Sequence, residues 1–70
     1  MLDTIMEFHK DLKKGQTVKI VTTVKDWETF INRTDSLEEK DNVLIIHKSN
    51  GAKVAINTSC IAMCCVIEKW

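Results

Sequence analysis

The sequence predicts a small, mainly β domain opened by one α-helix and assembled from several copies of the chain. Three observations carry this. Apolar residues recur at helical spacing only before Gly15, β-branched runs bounded by turn residues fill most of the remainder, and residues 60–67 form an unbroken apolar octet. A half-buried strand alternates apolar and polar side chains, whereas the octet is apolar on both faces and asks for cover on both. A chain of 70 residues is close to the size at which one core only just outweighs the chain entropy lost on folding. The second cover is most economically another copy of the chain.

Residues 2–14 predict the helix. Leu2, Ile5, Met6, His9 and Leu12 fall along one face. Asp3 and Glu7 lie near its start and Lys10, Lys13 and Lys14 near its end, as the helix dipole favours, and Gly15 suits the left-handed position that closes a helix. His9, on the apolar stripe, is expected to be half-buried and hydrogen-bonded rather than a base or ligand. Residues 17–25 predict a strand with Val18, Ile20, Thr22 and Val24 on one face. Two readings compete for residues 26–35: a short helix capped by Asp26 with Trp27, Phe30 and Ile31 as its apolar face, and a short strand after a turn at Lys25 and Asp26. The strand is preferred. Residues 36–42 predict a polar loop or a single helical turn. Residues 43–48 and 53–57 predict two strands joined at Asn50-Gly51, the strongest local hairpin signal in the chain, and Thr58-Ser59 breaks the second strand briefly before the octet. The result is five strands in one domain, residues 1–15 forming the helix and its cap and 16–70 the strands.

Ten basic and ten acidic side chains cancel, and they cancel locally, with six of each in residues 1–35 and four of each in residues 36–70. A whole-protein attraction to nucleic acid or to an anionic membrane is therefore not expected. A local patch gathered from Lys10, Lys13, Lys14, Lys19 and Lys25 is the only route to one, and a mixed solvated surface is the favoured reading. Three cysteines and no secretory signal pattern before Gly15 point to reduced thiols and a cytoplasmic chain. The octet falls far short of the roughly 20 residues that span a bilayer, so no membrane partner is expected.

The segment Asp41-Asn42-Val43-Leu44-Ile45-Ile46, in which an acidic residue and an asparagine enter an apolar strand, resembles the first motif of the Sm-like family that includes the bacterial Hfq proteins. Residues 51–61, Gly-Ala-Lys-Val-Ala-Ile-Asn-Thr-Ser-Cys-Ile, resemble that family's fourth strand and its one-turn link to the fifth. The resemblance implies a helix on a bent five-stranded barrel of Sm-like or SH3-like type. It also implies a ring closed by pairing the fourth strand of one subunit with the fifth of the next, and single-stranded RNA as the ligand. In Hfq proteins a Tyr-Lys-His type sequence links those strands; this chain has Ile56-Asn57-Thr58-Ser59 there, with no positive charge and no stacking ring.

Neither a catalytic set nor a cofactor site is expected. Cys60, Cys64 and Cys65 with His9 and His47 are the only ligand set for a metal, and their crowding into one apolar run favours buried thiols over zinc. An apolar setting raises a thiol's pKa and so argues against nucleophilic use. No phosphate-cradling glycine motif is present. The first functional expectation is a non-enzymatic homo-oligomeric module that binds single-stranded RNA through Lys13, Lys14, Lys19, Asn42 and Asn57. The second is a small interaction or inhibitory factor that docks on a larger protein through Trp27, Phe30, Cys64 and Trp70, beside the acidic stretch 38–41.

Overall fold

A computed structural model describes residues 2–25 and 27–68. One helix, α1 (Leu2–Lys10), precedes six strands, β1 (Gln16–Thr22), β2 (Glu28–Asn32), β3 (Ser36–Lys40), β4 (Val43–His47), β5 (Lys53–Asn57) and β6 (Ile61–Glu68), with a 3₁₀ turn, Thr58–Cys60, between the last two. The strands form two antiparallel three-stranded sheets in the orders β2-β1-β6 and β3-β4-β5. Chain continuity joins the sheets on one side, where β2 turns at residues 33–35 and becomes β3. On the other side the 3₁₀ turn links β5 to β6, which do not pair, so each keeps one open edge.

Alternation sorts the side chains. Val18 lies opposite Ile31, Leu44 opposite Ile56 and Ile46 between Leu37 and Val54, all facing the space between the sheets. Ile5, Leu12, Val18, Ile20, Ile31, Leu44, Ile46, Ile56 and Ile61 make the buried core, with Leu2, Phe8, Leu37, Val54 and Cys64 packed against it. The helix thus lends Ile5 to a core that the strands otherwise build. His9 is half-buried as expected, its Nε2 lying 3.1 Å from the Asn32 carbonyl oxygen.

Several sequence expectations change. The helix stops at Lys10, short of residue 14, and Gly15 (φ 87°) closes a separate turn whose Gln16 N–H donates to the Lys13 carbonyl at 3.0 Å. β1 ends at Thr22, and Val24 leaves the predicted face to stand 57% exposed. The strand reading of residues 26–35 holds over Glu28–Asn32, while Asp26 lies outside the described residues. Residues 36–40, expected to be loop or helical turn, form a sixth strand. Ser-Leu-Glu-Glu-Lys carries helix-forming charges and a single inward apolar side chain, Leu37, and pairing with the strongly apolar β4 overrides that local preference.

Between β3 and β4, where a loop or helical turn was expected, stands a tight hairpin turn. Asp41 (φ 52°) and Asn42 (φ 65°) both occupy the left-handed region as the two-residue link between the paired Lys40 and Val43, which is the geometry of a type I′ hairpin turn and needs residues such as Asp and Asn. At Asn50-Gly51 only the glycine (φ 94°) is left-handed. Gly51 N–H donates to the Lys48 carbonyl (3.0 Å) and Lys48 N–H to the Ala52 carbonyl (2.8 Å), the pattern of a three-residue hairpin ending in a glycine bulge.

The octet divides. Cys60 belongs to the 3₁₀ turn and therefore does not share a strand face with Cys64. Cys64 lies opposite Ile20 and faces the core, and Cys65 lies opposite Lys19 on the outer face. The described residues do not supply cover on both sides: Met63 is 49% and Val66 39% exposed. Val66 faces inward opposite Val18 yet stays exposed because β6 has no neighbouring strand beyond it.

Candidate functional site

The two turns at the ends of β3 and β5 build an open cavity of about 630 Å³, lined by Leu2 of the helix, Glu39 of β3, Asp41 and Asn42 of the type I′ turn, and Asn57, Thr58 and Ser59. They are bonded to each other. The Thr58 N–H (2.9 Å) and its Oγ1 (3.1 Å) both donate to the Asn42 carbonyl. Asn57, extended at φ −65° and ψ 126°, caps the 3₁₀ turn by accepting from Ser59 N–H (3.0 Å) and Ser59 Oγ (2.8 Å) through Oδ1. Two donors on one oxygen fix the amide orientation, so the Asn57 NH₂ is the group left to offer hydrogen bonds. Glu39 and Asp41 bring two carboxylates and the lining brings no cation.

The structure therefore places Asn42 and Asn57 together and separates them from the expected lysines. Lys13 and Lys14 lie in the turn after α1, and Lys19 lies on the outer face of β1 with its Nζ 3.3 Å from Glu28 Oε2. Of the residues expected to meet a protein partner, Trp27 is 40% exposed and Phe30 half-buried on the outer face opposite Lys19, while Cys64 packs against the core. Trp70 lies outside the described residues.

A second groove, about 290 Å³, runs beside the open edge of β5 and is walled by Thr22, Val24, Trp27, Ala55, Ile56, Asn57 and Cys60. Asn57 belongs to both cavities. Sequence reading missed this adjacency because Trp27 and Asn57 are far apart in the chain, in different sheets. It also missed Thr58 and Ser59 as lining residues, although the Asn-Thr-Ser run is a capping pattern that signals a turn with polar side chains.

Burial, and secondarily the neighbouring Cys65, push the Cys64 thiol above its ordinary pKa, the reverse of what a nucleophile needs. No disulfide joins Cys60, Cys64 and Cys65, and among the described residues no three His, Cys, Asp or Glu side chains converge as metal ligands. Since the thiolate is the reactive form, alkylation at mildly alkaline pH, read by peptide mass spectrometry, is expected to modify Cys64 more slowly than Cys65. Faster reaction at Cys64 would show that its side chain faces water.

No protein-family model matches the chain, and neither a curated protein nor a solved structure matches it. Among the described residues no helix is long and apolar enough to cross a membrane.

Proposed function

We propose that this chain is a non-enzymatic Sm-like module that closes its sheets into a barrel-like ring subunit by association with copies of itself and binds single-stranded RNA. Four strands, β2, β3, β5 and β6, are sheet edges, and the observation that carries this reading is the two of them joined by the 3₁₀ turn, β5 and β6. β5 and β6 each lack a partner on one side, and they border exposed apolar side chains, Met63 and Val66 on β6 and Val24 and Trp27 by the β5 groove. Unpaired edges invite strand addition, and two different edges on one chain suit head-to-tail pairing that closes into a ring.

The RNA part rests on the Asn42–Asn57 cavity. Its unpaired carboxylates disfavour phosphate, so the contact suited to it is the edge of a base, met by the Asn57 NH₂, rather than the backbone. Fluorescence anisotropy with short uridine-rich and adenine-rich strands tests it. Asn57→Ala is expected to weaken binding on the order of tenfold, the loss of one well-made base contact, and to change the preference between the two strands. Absence of binding to either strand at low salt would refute the RNA reading.

The Trp27 groove favours a second reading, a docking factor for a larger protein, because an exposed indole beside Val24 and Ala55 is the kind of anchor that interfaces concentrate. A stoichiometric partner recovered by pull-down, unaffected by nuclease and lost in Trp27→Ala, would support it over RNA binding.

A further inference from the structure

The four asparagines, Asn32, Asn42, Asn50 and Asn57, all stand exposed at strand ends or turns, so exposure does not tell them apart. The residue after each one does. Arg33, Val43 and Thr58 follow three of them, and Gly51 follows Asn50. A backbone nitrogen that attacks the side-chain carboxamide before it closes a five-membered ring, and a side chain on the attacking residue obstructs that closure. Gly51 has none, and a Cβ placed there would meet nothing within 4 Å, so neighbouring chain does not crowd the nitrogen either.

The hairpin tip also holds the carboxamide in position. Asn50 Oδ1 accepts the Ala52 N–H at 2.9 Å, which folds the carboxamide back over the Gly51 backbone. The same donor polarises the carbonyl and stabilises the oxyanion that forms when Cγ is attacked. One feature opposes the reaction: Gly51 N–H donates to the Lys48 carbonyl at 3.0 Å, and that bond must open before the nitrogen gives up its proton. It lies at an exposed tip, where local opening costs least. Asn57 is an internal control. Its Oδ1 accepts the Ser59 N–H at 3.0 Å in the same relation, but the attacking nitrogen would be that of Thr58, which carries a β-branched side chain and donates to the Asn42 carbonyl at 2.9 Å.

We propose that Asn50-Gly51 is a site of spontaneous modification, where the Asn50 carboxamide becomes an isoaspartyl link through a cyclic imide, and that this link loosens the β4–β5 hairpin. Gly51 N loses its proton to solvent base and bonds to Asn50 Cγ; the Cγ–Nδ2 bond breaks, and the nitrogen takes a proton from solvent and leaves as ammonia. Water then opens the imide. Addition at Cγ breaks its bond to Gly51 N and gives aspartate, whereas addition at the backbone carbonyl carbon breaks that carbon's bond to Gly51 N and gives isoaspartate. Nothing is oxidised or reduced, and water is the only co-reactant. The net charge moves from zero to one negative. The isoaspartyl form inserts a methylene into a loop that the Lys48 N–H to Ala52 carbonyl bond (2.8 Å) closes tightly and that Ser49 N–H moors to Asp35 at 2.9 Å. Its free carboxylate is the kind of group that an S-adenosylmethionine-dependent carboxyl methyltransferase esterifies. The proposal does not depend on the RNA reading.

The folded chain should be aged at mildly alkaline pH beside the same chain unfolded in urea, then digested with trypsin. Each asparagine falls in its own peptide, residues 26–33, 41–48, 49–53 and 54–69. In the folded chain the peptide 49–53 is expected to convert first, and to accept methyl groups from an isoaspartyl methyltransferase. Gly51→Asp, which keeps a residue tolerant of the left-handed backbone but adds a side chain to the attacking residue, should lose that methyl acceptance. Asn50 intact in the folded chain once the unfolded chain has converted, another asparagine converting first, or conversion without methyl acceptance would overturn the site. The aged chain should unfold at lower urea than Asn50→Asp, which carries the charge without the added methylene, and equal midpoints would overturn the loosening.

Discussion

Asp35→Ala is expected to remove about half of the chain's folding stability at room temperature, about 3–5 kcal/mol. The Asp35 carboxylate is fully buried and accepts every hydrogen bond that its surroundings offer. Its Oδ2 takes Asn32 N–H at 2.8 Å and Lys48 Nζ at 2.6 Å, and its Oδ1 takes Ser49 N–H at 2.9 Å. Lys48 Nζ also donates to the Phe30 carbonyl at 2.9 Å. One side chain thus ties the corner between β2 and β3 to the hairpin between β4 and β5, the place where the two sheets are joined by the chain. Alanine strands a mostly buried ammonium and two backbone N–H groups together, and breaking such a pair by removing one partner costs about 3–5 kcal/mol. At about 0.05–0.15 kcal/mol per residue a chain of this length holds only about 4–10 kcal/mol in all. Urea titration followed by circular dichroism measures the loss, and a midpoint within error of the native chain would mean that the network contributes nothing.

The same group sets an acid limit. Burial pushes the Asp35 carboxyl up, but hydrogen bonds from Lys48, Asn32 and Ser49 and the Lys48 charge outweigh it and hold the carboxyl below its ordinary value of 3.8. A carboxyl lowered on folding stabilises the native state above its unfolded pKa. That stability is lost as pH falls from about 3.8 through the lower folded value. Asp35→Asn should therefore show a flatter stability profile than the native chain below that pH, and an equal slope in the two proteins would assign acid unfolding to other carboxyls.

What the sequence made legible follows from where local and tertiary preferences agree. β1, β4 and β5 are β-branched runs with turn residues beside them, and of the face read from Val18, Ile20, Thr22 and Val24 the first three are buried. β3 was not legible because its glutamates and lysine have no strand preference of their own; β4 supplies the reason for the strand. Asn42 and Asn57 were legible as polar residues at strand ends, and their meeting was not, since it depends on the Thr58 bond to the Asn42 carbonyl across two turns. The basic residues were legible only as a count. Arg33 joins the turn after α1 because the β2–β3 corner folds back to it, and Lys19, equally charged, is placed elsewhere by the alternation of β1.

If the chain assembles as proposed, Ala55→Pro is expected to yield folded single chains of about 8.0 kDa. The Lys48 N–H bond to the Ala52 carbonyl sets the phase of the β4–β5 ladder, so that Ile46 with Val54 and Leu44 with Ile56 are the hydrogen-bonded pairs. The Ala55 N–H then points away from β4, toward the open edge. Proline there removes no hydrogen bond within the chain and blocks an added strand, which is how natural edges are protected. Val54→Pro, one residue earlier, is the contrast: it deletes a ladder donor and should cost about 3 kcal/mol or more, unfolding much of the population. Light scattering with circular dichroism separates the cases. If the native chain is oligomeric and Ala55→Pro keeps both its fold and its mass, the β5 edge is not the contact; if the native chain is itself a monomer at high concentration, the exposed Met63 and Val66 side chains have no partner copy to cover them and the ring reading falls with the edge that motivated it.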